Sequence, residues 1–338
     1  MFSFIEIQKR LLPDLVTVMQ KRYYILQYIN NMQPVGRRSL AGSLGLTERV
    51  LRTEVEFLKE QKLIHIANIG MSLTSIGQET LESLSSVMRE VTGINEMEKV
   101  LHKKLGVNKV IIVAGDSDHS PWVKKELGLA AANCMKSLIG GNNIIAVTGG
   151  TTMASVAEML TPDVADGELL FVPARGGIGE DVKNQANTIC AMMADHTASK
   201  HRVLYIPDEV SKEVYKSVIN DPHISEVLNL IKSANMLVHG IGEAVTMAQR
   251  RNTNESNLKK IEAAKAVGEA FGYYFNEAGE VVHKVETIGI RLDNLSTVPN
   301  VIAVAGGSSK SKAIRAYLKQ APVSTILITD EGAAKNLI

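Results

Sequence analysis

A chain of 338 residues with 45% apolar and 22% charged side chains is long enough for two domains and has a globular composition, which excludes wholesale disorder. No run approaches the roughly 18 consecutive apolar residues of a membrane span, and Glu6, Lys9, Arg10 and Asp14 interrupt the apolar core that a secretory signal would need within Met1 to Gln20. Two cysteines, Cys134 and Cys190, are too few for a disulfide framework or a zinc cluster, so the expectation is a cytoplasmic protein with no metal site.

The net charge of +1 hides an asymmetry, because residues 1–70 hold ten Lys/Arg against six acids and the remainder is mildly acidic. A basic leading segment fits a domain that meets a polyanion, or a helical face with surplus lysines. Leu15 to Asn30 carries apolar residues at one-face helical spacing and stops at Pro34 and Gly36. A short segment from Ser39 to Leu44 meets Gly45, and Thr47 stands at the N-cap of a second helix running to Gln61. In that helix Leu51, Val55 and Leu58 share one face, while Arg49, Arg52, Thr53 and Glu56 form the opposite polar stripe. Leu63–Ile66 and Met71–Leu73 then read as two short strands around a turn. This order predicts a winged helix-turn-helix over 1–75, with a small helical dimerisation domain as the alternative. Arg37 and Arg38 would meet DNA phosphates, and Arg49, Arg52 and Thr53 would read base edges. Thr74 to Lys104 has the spacing of a linker or oligomerisation helix, with a break at Thr92-Gly93.

From residue 105 onward, short apolar runs alternate with helical segments: Val110–Ala114, Ile144–Thr148, Leu169–Pro173, Val203–Ile206, Met236–His239, Val301–Ala305 and Thr325–Thr329. Such runs predict a doubly wound, mostly parallel sheet covered on both faces over 105–338, so the chain is of the α/β class. Tyr273–Phe275 and Val281-Val282 add an inserted hairpin.

Open parallel sheets bind ligands beyond the carboxyl ends of their strands. Four such ends are glycine-rich: Thr148-Gly149-Gly150-Thr151-Thr152, Arg175-Gly176-Gly177-Ile178-Gly179, His239-Gly240-Ile241-Gly242 and Gly306-Gly307-Ser308-Ser309-Lys310. In the first, two glycines let the backbone approach an anion at a helix start, the form of a phosphate cradle. Arg175 offers a bidentate fork for a phosphate, or a salt bridge. Lys310, in the first turn of a helix, is unfavourable for the dipole unless an anion compensates it. Arg250 and Arg251 add further cations. A Walker sequence, a G-x-G-x-x-G after the first strand, H-E-x-x-H and G-x-S-x-G are all absent, which disfavours nucleotide hydrolysis, dinucleotide binding and common hydrolase chemistry.

The stretch Pro299 to Gly307, with Lys310, Ala313-Ile314, Ala316 and Leu318, resembles the C-terminal signature of SorC/DeoR-type bacterial transcription regulators. Thr148 to Thr152 and Arg175-Gly176-Gly177 resemble two further motifs of that family. Within it, Gly36-Arg37-Arg38-Ser39-Leu40 and Glu48 to Glu54 are similar to the repressors of central glycolytic genes in bacilli. The resemblance implies an effector domain similar to sugar-phosphate isomerases and glucosamine-6-phosphate deaminase, in a homo-oligomeric repressor of a glycolytic operon whose operator binding responds to fructose 1,6-bisphosphate. It assigns one phosphate to Gly149, Gly150, Thr151 and Thr152, charge to Arg175 and Lys310, and the rest of the sugar site to Gln185, Arg250 and Glu269. The enzyme relatives carry a histidine just after the Gly-Ile-Gly strand end, where this chain has Glu243-Ala244-Val245. The expectation is therefore a regulator without a catalytic residue or cofactor, against the alternative of a phosphosugar enzyme with a helical appendage.

Overall fold

The computed structural model describes residues 4–162, 167–178, 181–208, 210 and 212–338. It divides into a unit of Met1–Met97 with Ser120–Trp122 and a unit of Glu98–His119 with Val123–Ile338. Each is taken by itself.

The first unit begins with α1 (Phe4–Leu11), α2 (Pro13–Met32), α3 (Arg37–Leu44) and α4 (Glu48–Glu60). Proline at the first helical position starts α2 two residues before the predicted Leu15. The segment expected from Ser39 is a full helix from Arg37, closed by Gly45 in the left-handed conformation at φ 63°. Thr47 caps α4, its hydroxyl accepting from the Val50 N–H at 3.3 Å. Leu51, Val55 and Leu58 are fully buried beneath α4, each contributing about 1.5–3 kcal/mol. Glu54 also points inward, where Lys21 and Arg22 of α2 meet its carboxylate at 2.6 and 2.8 Å. Arg22 in turn lies over the Phe57 ring at 3.5 Å, so charge and ring contacts fix α4 against α2. The hairpin β1 (Ile64–Ala67) and β2 (Gly70–Leu73) is antiparallel, with Ile64 opposite Leu73. Next comes α5 (Ser75–Val91), and Thr92-Gly93 separates it from α6 (Ile94–Leu105), which runs into the second unit.

In the second unit the elements are β3 (Lys109–Val113), α7 (Pro121–Leu138), β4 (Asn143–Val147), α8 (Thr151–Met159), β5 (Leu169–Pro173), α9 (Ala186–His196), β6 (Lys200–His201), α10 (Lys212–Val218), α11 (Pro222–Lys232) and β7 (Met236–Gly240). They continue with β8 (Gly242–Glu243), α12 (Ala244–Arg250), α13 (Glu255–Ala263), β9 (Gly268–Ala270), β10 (Tyr273–Phe275), β11 (Val281–Lys284), β12 (Asn300–Val304), α14 (Ser311–Leu318), β13 (Thr325–Asp330) and α15 (Glu331–Leu337). Seven strands form one sheet in the order β3-β13-β12-β7-β4-β5-β6, and every pairing in it is parallel. Val147, Phe171, Val238, Ile302 and Ile328 from its strands pack with Met135, Val156 and Ile189 from the helices in one core.

Two expectations need correction. The strand read at Val203–Ile206 is instead the short β6, which pairs with Leu170 and Phe171 through Lys200 and His201. Asn187 clasps the main chain at Leu204, donating to its carbonyl at 3.1 Å and accepting from its N–H at 2.9 Å, so this apolar run has no ladder to join. The inserted hairpin is part of a larger antiparallel sheet, ordered β11-β10-β9-β8.

The winding of the large sheet decides where a ligand can sit. From β4 the chain steps outward through β5 to β6, then returns to place β7 on the other side of β4 and steps outward again through β12 and β13. The loops leaving β4 and β7 thus diverge at a topological switch point, where doubly wound sheets open a crevice.

Candidate functional site

A cleft of about 820 Å³, counted to its open mouth, lies at that switch point. Its walls include Gly149, Gly150, Thr151, Thr152, Arg175, Gln185, Arg250, Glu269 and Lys310, so all nine residues singled out in the sequence converge on one space. Gly179 of the second glycine-rich loop lies outside the described residues.

At one end of the cleft, Gly150 precedes α8 at φ 122°, and no side chain caps the helix. The first-turn N–H groups of α8 have no intrahelical acceptor and lie at the positive end of the helix dipole. Gly149 must be glycine, since a Cβ there would stand 2.7 Å from the Asn184 carbonyl oxygen. That same carbonyl accepts from the Gly150 N–H at 2.8 Å. Of the two glycines, then, the second has its donor committed within the protein, and the helix turn that follows carries the anion-binding capacity.

The floor holds four charges. Arg175 donates to Asp208 through Nε at 2.9 Å and NH2 at 2.7 Å, so the fork that the sequence offered to a phosphate is filled by a carboxylate. Arg251 bonds both Asp208 and Glu269, the latter at 2.9 Å, and Arg175 NH1 lies 3.6 Å from Glu269. All four side chains are at most 6% exposed, and two cations balance two anions. Glu269 Oε1 also accepts from the Gly272 N–H at 2.5 Å. Asp208 stands in irregular chain with no sequence signal, which is why it escaped the reading of strand ends.

Lys310 also lines the cleft, and its ammonium has no carboxylate within 4 Å among the described residues. Burial, then the like charges of Lys124 and Arg250, hold it below its ordinary pKa against the pull of Asp118 and Asp330. The loop that carries it already has its donors engaged. Its N–H groups at Gly307, Ser308 and Ser309 are taken by Asp330, Asp116 and Asp118 at 2.7, 3.2 and 2.7 Å, so carboxylates of the chain compensate the helix start. Asp116 and Asp118 follow β3 and were legible by the same strand-end rule, which the search for glycines passed over.

The groups that could support acid–base chemistry are occupied otherwise. Glu243 caps α12, accepting from the Val245 N–H, the Thr246 N–H and the Thr246 hydroxyl at 3.1, 2.7 and 2.7 Å. Burial works to raise its pKa, but these hydrogen bonds outweigh it and hold the carboxyl below its usual value. His239 is fully buried and pushed down to about 4 by that burial. Its neutral ring donates from Nδ1 to the Gly240 carbonyl at 3.0 Å and accepts at Nε2 from the Tyr317 hydroxyl at 2.9 Å. Among the described residues no group of three His, Cys, Asp or Glu side chains is placed to hold a metal ion.

In the first unit Arg37 and Arg38 occupy the first turn of α3 and are exposed. Arg49, Arg52 and Thr53 are exposed on the face of α4 opposite its buried side. Thr53 turns its hydroxyl back to the Arg49 carbonyl at 3.3 Å, and Arg38 lies 3.7 Å from Glu48, a surface pair of little energetic consequence.

Helix-turn-helix with a wing, then a parallel sheet with an anion-adapted cleft at its switch point, is the make-up of a ligand-responsive transcription regulator. Residues 18–88 match the model of the CggR N-terminal DNA binding domain, and residues 89–338 match Sugar-bind, a sugar-binding domain. The chain is 60% identical over 338 residues to the central glycolytic genes regulator of Bacillus subtilis, with 100% of this chain and 99% of that protein covered. A solved structure of a SorC family transcriptional regulator from Enterococcus faecalis is 47% identical with a TM-score of 0.68, over 72% of this chain and 99% of that one. The fold is shared over 96% of this chain and 98% of the other with the full-length sorbitol operon regulator SorC from Klebsiella pneumoniae, at 17% identity and a TM-score of 0.67. The chain belongs to the SorC family of transcriptional regulators. Like these relatives it is a regulator, not an enzyme, with a DNA-binding part and a sugar-binding part. No helix among the described residues is long and apolar enough to cross a membrane.

Proposed function

We propose that the chain is a cytoplasmic, homo-oligomeric repressor of a glycolytic operon whose operator binding is modulated by fructose 1,6-bisphosphate. The observation that carries this reading is the presence of two anion-seeking groups in one cleft, the uncapped start of α8 and the half-buried Lys310 ammonium. A doubly phosphorylated sugar supplies two anions joined by a short polyol. One phosphate would take the first-turn donors of α8 with the hydroxyls of Thr151 and Thr152, and the other would relieve the like-charge crowding around Lys310 and Arg250. Glu269 and Gln185 would receive the sugar hydroxyls. Arg175 would act through Asp208 and Glu269, holding the floor in shape.

In this reading residues 1–75 form the DNA-binding domain, 76–104 the linker and oligomerisation segment, and 105–338 the effector domain. Arg37 and Arg38 would bind operator phosphates, while Arg49, Arg52 and Thr53 would face base edges. The Bacillus subtilis relative, named a regulator of central glycolytic genes, supports the choice of target operon.

Titration calorimetry of the full chain with fructose 1,6-bisphosphate tests the proposal. Binding is expected in the parent, and Lys310→Met is expected to weaken it by about 10- to 100-fold, the loss of one charge-assisted contact. Absence of heat with the parent, together with operator gel shifts indifferent to the sugar, would remove the reading.

A further inference from the structure

A second cavity, of about 1040 Å³ counted to its open mouth, lies between α10, α11 and the chain from Ile288 to Val298. Its size is that of a small-molecule site. Leu228 and Ile231 of α11, with Ile288, Ile290 and Val298, give it aliphatic walls. No Asp or Glu lines it, whereas Arg291 and Lys232 do. Neither cation has a carboxylate within 4 Å among the described residues. Lys232 has a partial account of its own, because a cation in the last turn of α11 suits the helix dipole. Arg291 has no such account. It is half-buried, and it donates to a neutral acceptor, the Tyr215 hydroxyl, at 3.2 Å.

The strip Ile288-Gly289-Ile290 lines this cavity, and its main chain is bonded to the residues that carry the charges of the cleft floor. The Ile288 carbonyl accepts from the Gly176 N–H at 3.1 Å, the Ile290 N–H donates to the Ala174 carbonyl at 2.9 Å, and the Ile288 N–H donates to the Asp208 carbonyl at 3.0 Å. Gly289 pairs with Arg175. It has φ 129°, and a Cβ there would stand 2.2 Å from the Ala174 carbonyl oxygen, so the strip lies as close to that chain as bare backbone allows. A ligand against Ile288 and Ile290 therefore touches the segment that holds Arg175 and Asp208 in place.

We propose that this cavity is a second ligand site, for a small anion with an aliphatic body such as a medium-chain carboxylate, and that its occupancy changes the affinity of the cleft. The walls select the ligand. Burial of an alkyl chain against them is favourable, whereas a polyol would lose its hydration there without replacing it. The carboxylate meets Arg291 through charge-assisted hydrogen bonds, and Lys232 adds charge at the solvent edge. Two ligands that bear on one strip are linked, each changing the affinity of the other by the same factor. The link, though not the site, rests on the reading of the cleft given above.

The test is calorimetric titration of the full-length chain with octanoate. The parent should bind it, whereas octylamine, with the same body and the opposite charge, should give no heat. Arg291→Met should weaken octanoate binding about tenfold or more, and Arg291→Lys, which keeps the charge, should recover most of the loss. Lys232→Glu reverses a charge at an exposed position and should weaken binding about fivefold, which keeps the test open if the Arg291 variants fold poorly. Equal heats for the two amphiphiles, octanoate affinity unchanged in both Arg291→Met and Lys232→Glu, or no heat with the parent, as when a second copy of the chain covers the cavity, each overturn the inference. Affinity for fructose 1,6-bisphosphate with and without saturating octanoate should differ about fivefold or more. Identical values in a parent that binds both ligands overturn the link and leave the reading of the cleft intact. A parent that binds octanoate but no bisphosphate overturns that reading, and the link with it, and supports the site.

Discussion

Asp208 and Glu269 each hold two guanidinium groups, and the four charges close on themselves beneath the cleft. Buried pairs of this kind contribute little net stability when complete, but breaking one exposes the full desolvation cost of the partner left behind. Asp208→Ala would leave Arg175 and Arg251 sharing one carboxylate. Its expected cost is about 3–5 kcal/mol, read as a lower midpoint in urea unfolding of the full chain. Arg175→Ala is consequently a poor probe of ligand contact, since it strands Asp208 in the same way. A Lys310 variant is cleaner, because that ammonium gives up no ion pair. An Asp208→Ala protein as stable as its parent would show that water reaches the quartet and that its charges are not sealed. At this scale the sequence was informative about which residue types gather in the cleft. It was uninformative about how they pair, because pairing depends on loops such as the one carrying Asp208, whose course leaves no periodic trace.

Elements were legible where periodicity and chain punctuation agreed. Thr47 before α4 and Gly45 after α3 each mark a boundary by a stated mechanism, and the near-continuous apolar runs identified six of the seven strands of the large sheet. Val203–Ile206 misled because an apolar run is also what a segment buried by side-chain clasping looks like, and Asn187 supplies that clasp. For α4 the division of labour along the helix yields a testable contrast. Its buried face and the Glu54 pairing with Lys21 and Arg22 orient the helix, so the exposed Arg49 and Arg52 can be changed without disturbing the packing. Base-edge contacts contribute discrimination, and phosphate contacts contribute affinity that falls with salt. Arg52→Ala should cost about 1–3 kcal/mol on the specific operator and far less on random duplex, whereas Arg37→Ala should weaken both alike and lower the salt slope by about one. Gel shifts across a salt series separate the two. Equal losses on both duplexes for Arg52→Ala would move that residue from the base edges to the backbone.

At the scale of the whole molecule, a sugar-binding part and a DNA-binding part in one chain regulate only if occupancy of one changes the affinity of the other. Typical coupling free energies are about 1–3 kcal/mol, or roughly 5- to 150-fold in affinity. Neither the sequence nor the two units taken singly fixes that value, because it is a difference between states of the assembly and not a property of any one contact. Its symmetry is nevertheless fixed by thermodynamics. Whatever factor the effector takes from operator affinity, operator DNA must take from effector affinity, whichever elements carry the change. Two independent titrations of the full chain therefore have to agree. Operator affinity is measured with and without saturating fructose 1,6-bisphosphate, and sugar affinity is measured on the free chain and on the chain saturated with operator. The two ratios are expected to coincide within error and to exceed about fivefold. A large first ratio beside a second ratio of one would mean that the cycle contains a further linked step, as when the sugar draws the free protein into an assembly that cannot engage the operator. Sedimentation at both saturating conditions would then show a change in subunit number, and the cleft would be regulating association instead of the posture of the helix-turn-helix.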